Sequence, residues 1–220
     1  MNIFKNPKNN NPLYYDKSTH SFVDSITKEV FKINQHGIIE FIKTSEITGD
    51  NEKSTKFYNS FSPFYELGQK LWYSFFGGEK KARNDYLQYL NIQPNNLVLE
   101  VSVGTSANIK YLPQSAFYYG IDISIGQLLQ SWKNKKKYHL PIKLCWGNAE
   151  MLPFHDDSFD CVFHVGGINL FNNKKKAINE LIRVAKPGTS IMICDETEKV
   201  AAAYEKLPYF GKPFRVEKKQ

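Results

Sequence analysis

From residue 96 onward the chain alternates apolar runs of strand length with amphipathic segments of helix length. The runs are LVLEVSV (97–103), FYYGIDI (117–123), IKLCWG (142–147), DCVFHVG (160–166) and TSIMICDE (189–196). Between them the pattern predicts helices over about 105–112, 125–137 and 173–185, the last stopped by Lys186-Pro187-Gly188. That alternation is what parallel strands joined by crossover helices produce, so the fold class is α/β with a doubly wound, mostly parallel sheet. The first half reads differently. Residues 1–20, rich in Asn, Lys and Pro, predict a flexible arm that buries little apolar surface. Over 21–56 the short runs FVD, EVFKI and GIIEFI, with a turn at Gly37, predict a small β-hairpin module. An aromatic stretch, FYNSFSPFYELGQKLWYSFF (57–76), predicts a helix after Pro63, and a second helix lies between Gly77-Gly78 and Pro94. The main domain is thus 57–200, followed by a short tail, 201–220.

Composition narrows the function classes. At 220 residues, 41% hydrophobic and 23% charged, the chain is of ordinary globular make-up. No run approaches the length of a membrane span and the opening residues lack the apolar core of a signal peptide, so a cytoplasmic protein without a membrane span is expected. The net charge is +7, and lysines cluster in KNKKK (133–137) and KKK (174–176). Solvated helix faces account for such clusters, and an RNA partner is the alternative they allow. Cys145, Cys161 and Cys194 each sit inside an apolar run rather than in metal-ligand pairs, so no metal is expected.

Ligands of open α/β sheets lie beyond the carboxyl ends of the strands. The first strand ends in Glu100-Val101-Ser102-Val103-Gly104-Thr105-Ser106, an acid followed by a turn of small residues that lets a ligand approach the backbone. The second ends in Asp122-Ile123-Ser124, a carboxylate about 20 residues further on, which is where an acid meets ribose hydroxyls. The third is followed by GNAEMLPF (147–154) and SFDCV (158–162), the fourth leads to His164, and the last helix closes on RVAKPG (183–188).

Taken together and in order, these segments resemble class I S-adenosylmethionine-dependent methyltransferases, in particular the quinone C-methyltransferase-like group. The acid-plus-small-residue turn is similar to that family's nucleotide loop, with Ser102 and Ser106 in place of two glycines; a left-handed backbone at either serine would be strained. GNAEMLPF resembles the family's G-D-A-x-x-L-P-F, with Asn for Asp. The resemblance implies a strand order 3-2-1-4-5 and S-adenosylmethionine as cofactor, bound by Glu100, Ser102, Gly104, Thr105, Asp122, Ile123, Asn148, Ala149 and His164. It implies a role for Asn148 at the adenine edge. Candidates for a catalytic side chain are His164 and Tyr65, the latter in the aromatic stretch that resembles a segment lying over the cofactor. The segment before the sheet looks like a zinc-ribbon-like module without its cysteines. The residues after 200 do not carry the pattern of the family's C-terminal β-hairpin, so the edge of the fifth strand is expected to be covered by the tail or by a second copy of the chain in a homodimer. The function implied is methyl transfer to a small, lipophilic or planar acceptor. An RNA methyltransferase and a catalytically weak or non-catalytic S-adenosylmethionine-binding protein are the alternatives.

Overall fold

The structure, a computed structural model, describes residues 3–59 and 77–195. Among the described residues nine strands fall into two sheets. Strands β1 (Leu13–Asp16), β2 (Ser21–Asp24) and β3 (Val30–Lys32) make a small antiparallel sheet. The main sheet has six strands in the order β4-β7-β6-β5-β8-β9, from β4 (Ile38–Glu40), β5 (Leu97–Val101), β6 (Phe117–Asp122), β7 (Ile142–Trp146), β8 (Cys161–Val165) and β9 (Ile191–Cys194). All its pairings are parallel. The five strands from β5 onward therefore take the order 3-2-1-4-5 implied by the resemblance.

Four α-helices are described: α1 over 49–59, α2 (Glu79–Leu87), α3 (Ile125–Tyr138) and α4 (Lys174–Val184). Local chemistry fixes the last two. Ser124 caps α3 by accepting the Gln127 N–H, and Asn173 caps α4 by accepting the Lys176 N–H. Lysines 135–137 occupy the last turn of α3, where they complement the helix dipole. Ala177, Leu181 and Val184, one stripe of α4, pack on one face of the sheet with Leu99, Val101 and Val162. Leu128 of α3 and Leu87 of α2 pack on the other face with Val98, Tyr118 and Phe163. Two covered faces explain why the strands are apolar throughout rather than alternating.

Three expectations are corrected. The opening segment is not a loose arm: Ile3 and Phe4 are buried in the core, and Phe4 forms an antiparallel bridge with Phe154. The expected helix over 105–112 is a single 3-10 turn, Ile109–Tyr111, because Ser106 takes a left-handed φ of 60° and Leu112, ahead of Pro113, is extended. The GIIEFI run turns back at Gly37 as expected but makes only an isolated antiparallel bridge there, Ile33 to Ile39; its strand, β4, pairs with β7 at the main sheet's edge.

Candidate active site

The carboxyl ends of β5, β6 and β7 converge on a cleft lined by Asn51, Ser102, Asp122, Ile123, Asn148, Ala149 and their neighbours. Five of the residues singled out in the sequence, Ser102, Asp122, Ile123, Asn148 and Ala149, meet here. Asp122 organises the turn beside it. Its Oδ2 accepts the Gly104 N–H at 2.8 Å and its Oδ1 accepts the Ser124 N–H at 2.8 Å, tying the β5 turn to the start of α3. Burial outweighs these donors and pushes the carboxyl up to about 6. Ser102, Gly104 and Ser106 all have positive φ, 57°, 52° and 60°. Two serines thus adopt a backbone conformation that favours glycine.

Glu100 stands behind this turn, fully enclosed. Its Oε1 accepts the Asn108 amide at 2.6 Å, while Oε2 has no partner. The Asn108 Oδ1 in turn accepts from Arg83 Nη1 at 2.6 Å and from the Tyr86 hydroxyl at 2.8 Å, so a buried polar chain runs from α2 to the end of β5. Burial pushes the Glu100 carboxyl up to about 8, against the hydrogen bond from Asn108 and the charge of Arg83. Asn148 turns its Oδ1 onto the Glu150 N–H at 2.8 Å, which leaves its amide nitrogen as the group it can offer a ligand.

Of the nine residues expected to bind the cofactor, Glu100, Gly104, Thr105 and His164 do not line the cleft. Thr105 is buried against α3, where its carbonyl accepts the Asn134 amide, and does not line the cleft. His164, 1% exposed, bonds through Nδ1 to the Val101 carbonyl at 3.0 Å. A carbonyl only accepts, so the ring proton is on Nδ1 and Nε2 carries a lone pair, with no partner. Burial lowers its pKa and keeps the ring neutral. Its ring lies 5.4 Å from that of Phe171, which does line the cleft. Tyr65, with the helix expected after Pro63, and the tail over 201–220 lie outside the described residues.

Helix α1 was not anticipated as part of the site. Asn172, in the loop after β8, accepts the N–H groups of Asp50 and Asn51 at 2.7 and 3.2 Å and so fixes the helix start. Further along α1 the Asn59 Oδ1 accepts the Ser124 hydroxyl at 2.7 Å and the Gly126 N–H at 2.9 Å. A Cβ on Gly126 would come within 2.8 Å of the Asn59 Cα, so only glycine permits this approach. Tied at these two points, α1 crosses from the loop after β8 to the start of α3. Its buried side is polar, with Asn51 donating to the Glu150 carboxylate at 3.0 Å and a Thr55 hydroxyl that has no partner. No spacing rule reveals these contacts, because the partners are about 65 to 124 residues away.

Residues 99–193 match the family model described as "Methyltransferase domain". Over these residues the chain carries a methyltransferase domain. A demethylmenaquinone methyltransferase of Streptomyces avermitilis is 30% identical over 120 residues, covering 54% of this chain and 50% of that protein. A ubiquinone/menaquinone biosynthesis C-methyltransferase of Geotalea daltonii is 26% identical over 172 residues, covering 75% of this chain and 72% of that protein. The chain thus spans about half the length of the first of these relatives. Among solved structures the [4+2]-cyclase SpnF superposes with a TM-score of 0.54 at 18% identity, covering 64% of this chain and 58% of that one, a likeness of fold. The methyltransferase domain includes every cleft-lining residue except those contributed by α1.

Proposed function

We propose that this chain binds S-adenosylmethionine in the cleft and transfers its methyl group to a small, planar, lipophilic acceptor of the quinol kind. The observation that carries the reading is the pair of buried carboxyls, Glu100 and Asp122, at the ends of adjacent parallel strands around a turn of small residues. The residues fit the cofactor. Glu100 has an unpartnered oxygen and a carboxyl held near neutrality by burial, so an ammonium group entering beside it would draw out its charge. Asp122 suits the ribose hydroxyls and the Asn148 amide an adenine nitrogen; Ser102, Ile123 and Ala149 form the wall. When bound, the sulfonium supplies an electrophilic methyl displaced in line. The chain's own task is then to hold two partners in line and keep water out, which α1 and Phe171 serve by closing the cleft.

The acceptor reading rests on the quinone methyltransferases named above and on the aromatics near the roof. Phe171 lines the cleft, and Phe57 and Tyr58 stand together on α1 with ring centroids 5.3 Å apart. Of the two lysine clusters, 174–176 opens α4 three residues after the cleft-lining Phe171, whereas 133–137 lends the RNA alternative little support. Those at 133–137 sit in the last turns of α3, whose first turn is at the cleft, roughly 12–18 Å along the helix from it.

The test is calorimetric titration with S-adenosylhomocysteine, followed by transfer of a labelled methyl group to demethylmenaquinol. Replacing Asp122→Ala is expected to weaken binding by about 1.5–3 kcal/mol, the loss of hydrogen bonds to a charged group. Unchanged affinity would remove the ribose assignment. Tight cofactor binding without transfer to any quinol would favour the non-catalytic reading, and transfer to RNA with a steep salt dependence would favour the RNA enzyme.

A further inference from the structure

Helix α3 turns a polar stripe toward the nucleotide loop: Gln127, Ser131 and Asn134, all buried. Two of the three have partners there. The hydroxyls of Ser131 and Ser106 bond each other, and the Asn134 amide donates to the Thr105 carbonyl at 2.9 Å. Gln127, nearest the strand ends, has none. It is 3% exposed, yet neither its Oε1 nor its Nε2 has a hydrogen-bond partner. Burying an unmet carboxamide costs free energy that a methionine or leucine of similar size would not cost.

Its place in the fold suggests what meets it. The Gln127 Oε1 lies 3.8 Å from where a Cβ on Gly104 would stand, and the Gly104 N–H is held by Asp122. The Gln127 backbone N–H is bonded to Ser124, whose own N–H is bonded to the other oxygen of Asp122. The amide therefore lies against the turn that Asp122 organises. A carboxylate only accepts, and each Asp122 oxygen already takes one backbone N–H. A cis-diol also offers acceptor oxygens, which Asp122 cannot satisfy and an amide nitrogen can.

We propose that Gln127 is a cofactor-positioning residue whose carboxamide bonds a ribose hydroxyl of S-adenosylmethionine beside Asp122. The proposal rests on the ribose reading of Asp122. It is tested by titrating S-adenosylhomocysteine and its 2′-deoxy and 3′-deoxy analogues into the wild-type protein, Gln127→Met and Asp122→Ala, with thermal unfolding of each protein without ligand. Gln127→Met is expected to bind S-adenosylhomocysteine about tenfold more weakly, as the loss of a ligand hydrogen bond entails. Its melting temperature should be unchanged or higher, because an unmet amide has been removed. One deoxy analogue should bind Gln127→Met and wild type alike. Wild-type affinity in Gln127→Met, or an equal loss on all three ligands, would overturn the proposal; Gln127→Leu repeats the comparison should the methionine variant fold poorly. Full affinity in Asp122→Ala with weakened Gln127→Met would support Gln127 while removing Asp122. A wild-type protein that binds none of the ligands would overturn both.

Discussion

Ser102 and Ser106 hold left-handed backbone angles of 57° and 60° that cost a side-chain-bearing residue about 1–2 kcal/mol each. The turn persists because its groups are bonded: Ser106 N–H to the Val103 carbonyl, Gly104 N–H to Asp122. The same enclosure raises the Asp122 carboxyl to about 6, which has two consequences of definite sign. In the empty protein the raised value means that stability contributed below the unfolded pKa, near 3.8, is lost as pH rises through about 6. A ligand whose hydroxyls donate to Asp122 favours the charged form, so binding releases a proton. Affinity for S-adenosylhomocysteine is expected to be roughly tenfold weaker at pH 5 than at pH 7, with proton release visible by calorimetry in buffers of different ionisation enthalpy. An affinity flat across that range would contradict a ribose contact at Asp122. At this scale Asp122 was legible in the sequence because a strand end and a fixed spacing mark it, and Asn148 through the resemblance of GNAEMLPF to the family's motif. Asn108 and Gln127 were not, since what makes them unusual is a partner, or the lack of one, brought close only by folding.

Among the elements, the opening segment departs most from its composition. Asparagines that read as a solvated arm are ligands of a buried acid: the side-chain amides of Asn6, Asn9 and Asn11 all donate to Asp24, at 2.7, 3.1 and 3.1 Å. Burial would raise the Asp24 carboxyl, but the Thr27 N–H, the Asn6 amide and further donors outweigh it and hold it far below the usual carboxylate range. Stability from this group is present above the unfolded pKa and is lost as pH falls through the lower folded value. Phe4 anchors the same segment, with ring centroids 4.9, 5.3 and 5.5 Å from those of Phe22, Phe41 and Phe154. Truncating it, Phe4→Ala, is expected to destabilise the protein by about 3–5 kcal/mol in urea unfolding, the cost of a cavity in a packed aromatic cluster. A loss below about 1 kcal/mol would restore the loose arm.

For the whole molecule, the decisive feature is that β4 joins the main sheet next to β7 while the aromatic cluster beneath it includes Phe4, Phe41, Tyr119 and Phe154. We infer that the N-terminal segment and the methyltransferase domain fold as one unit. A chain lacking residues 1–42 would expose the β7 edge and that cluster, and is expected to aggregate or to lose a cooperative thermal transition. Cooperative unfolding at the full chain's melting temperature would show the module to be separable. The sequence by itself determined the five-strand parallel core, because strand-length apolar runs alternating with helices are compatible with few right-handed arrangements, and the family resemblance chose the order among them. It also marked the ends of β5 and β6 as the candidate site, because an acid and a small-residue turn are local signals. Only the tertiary structure decided where β4 pairs, how α1 crosses the cleft and which buried polar groups are left unmet. Each of these depends on groups far apart in the chain, and no local pattern of polar and apolar residues encodes which of them will meet.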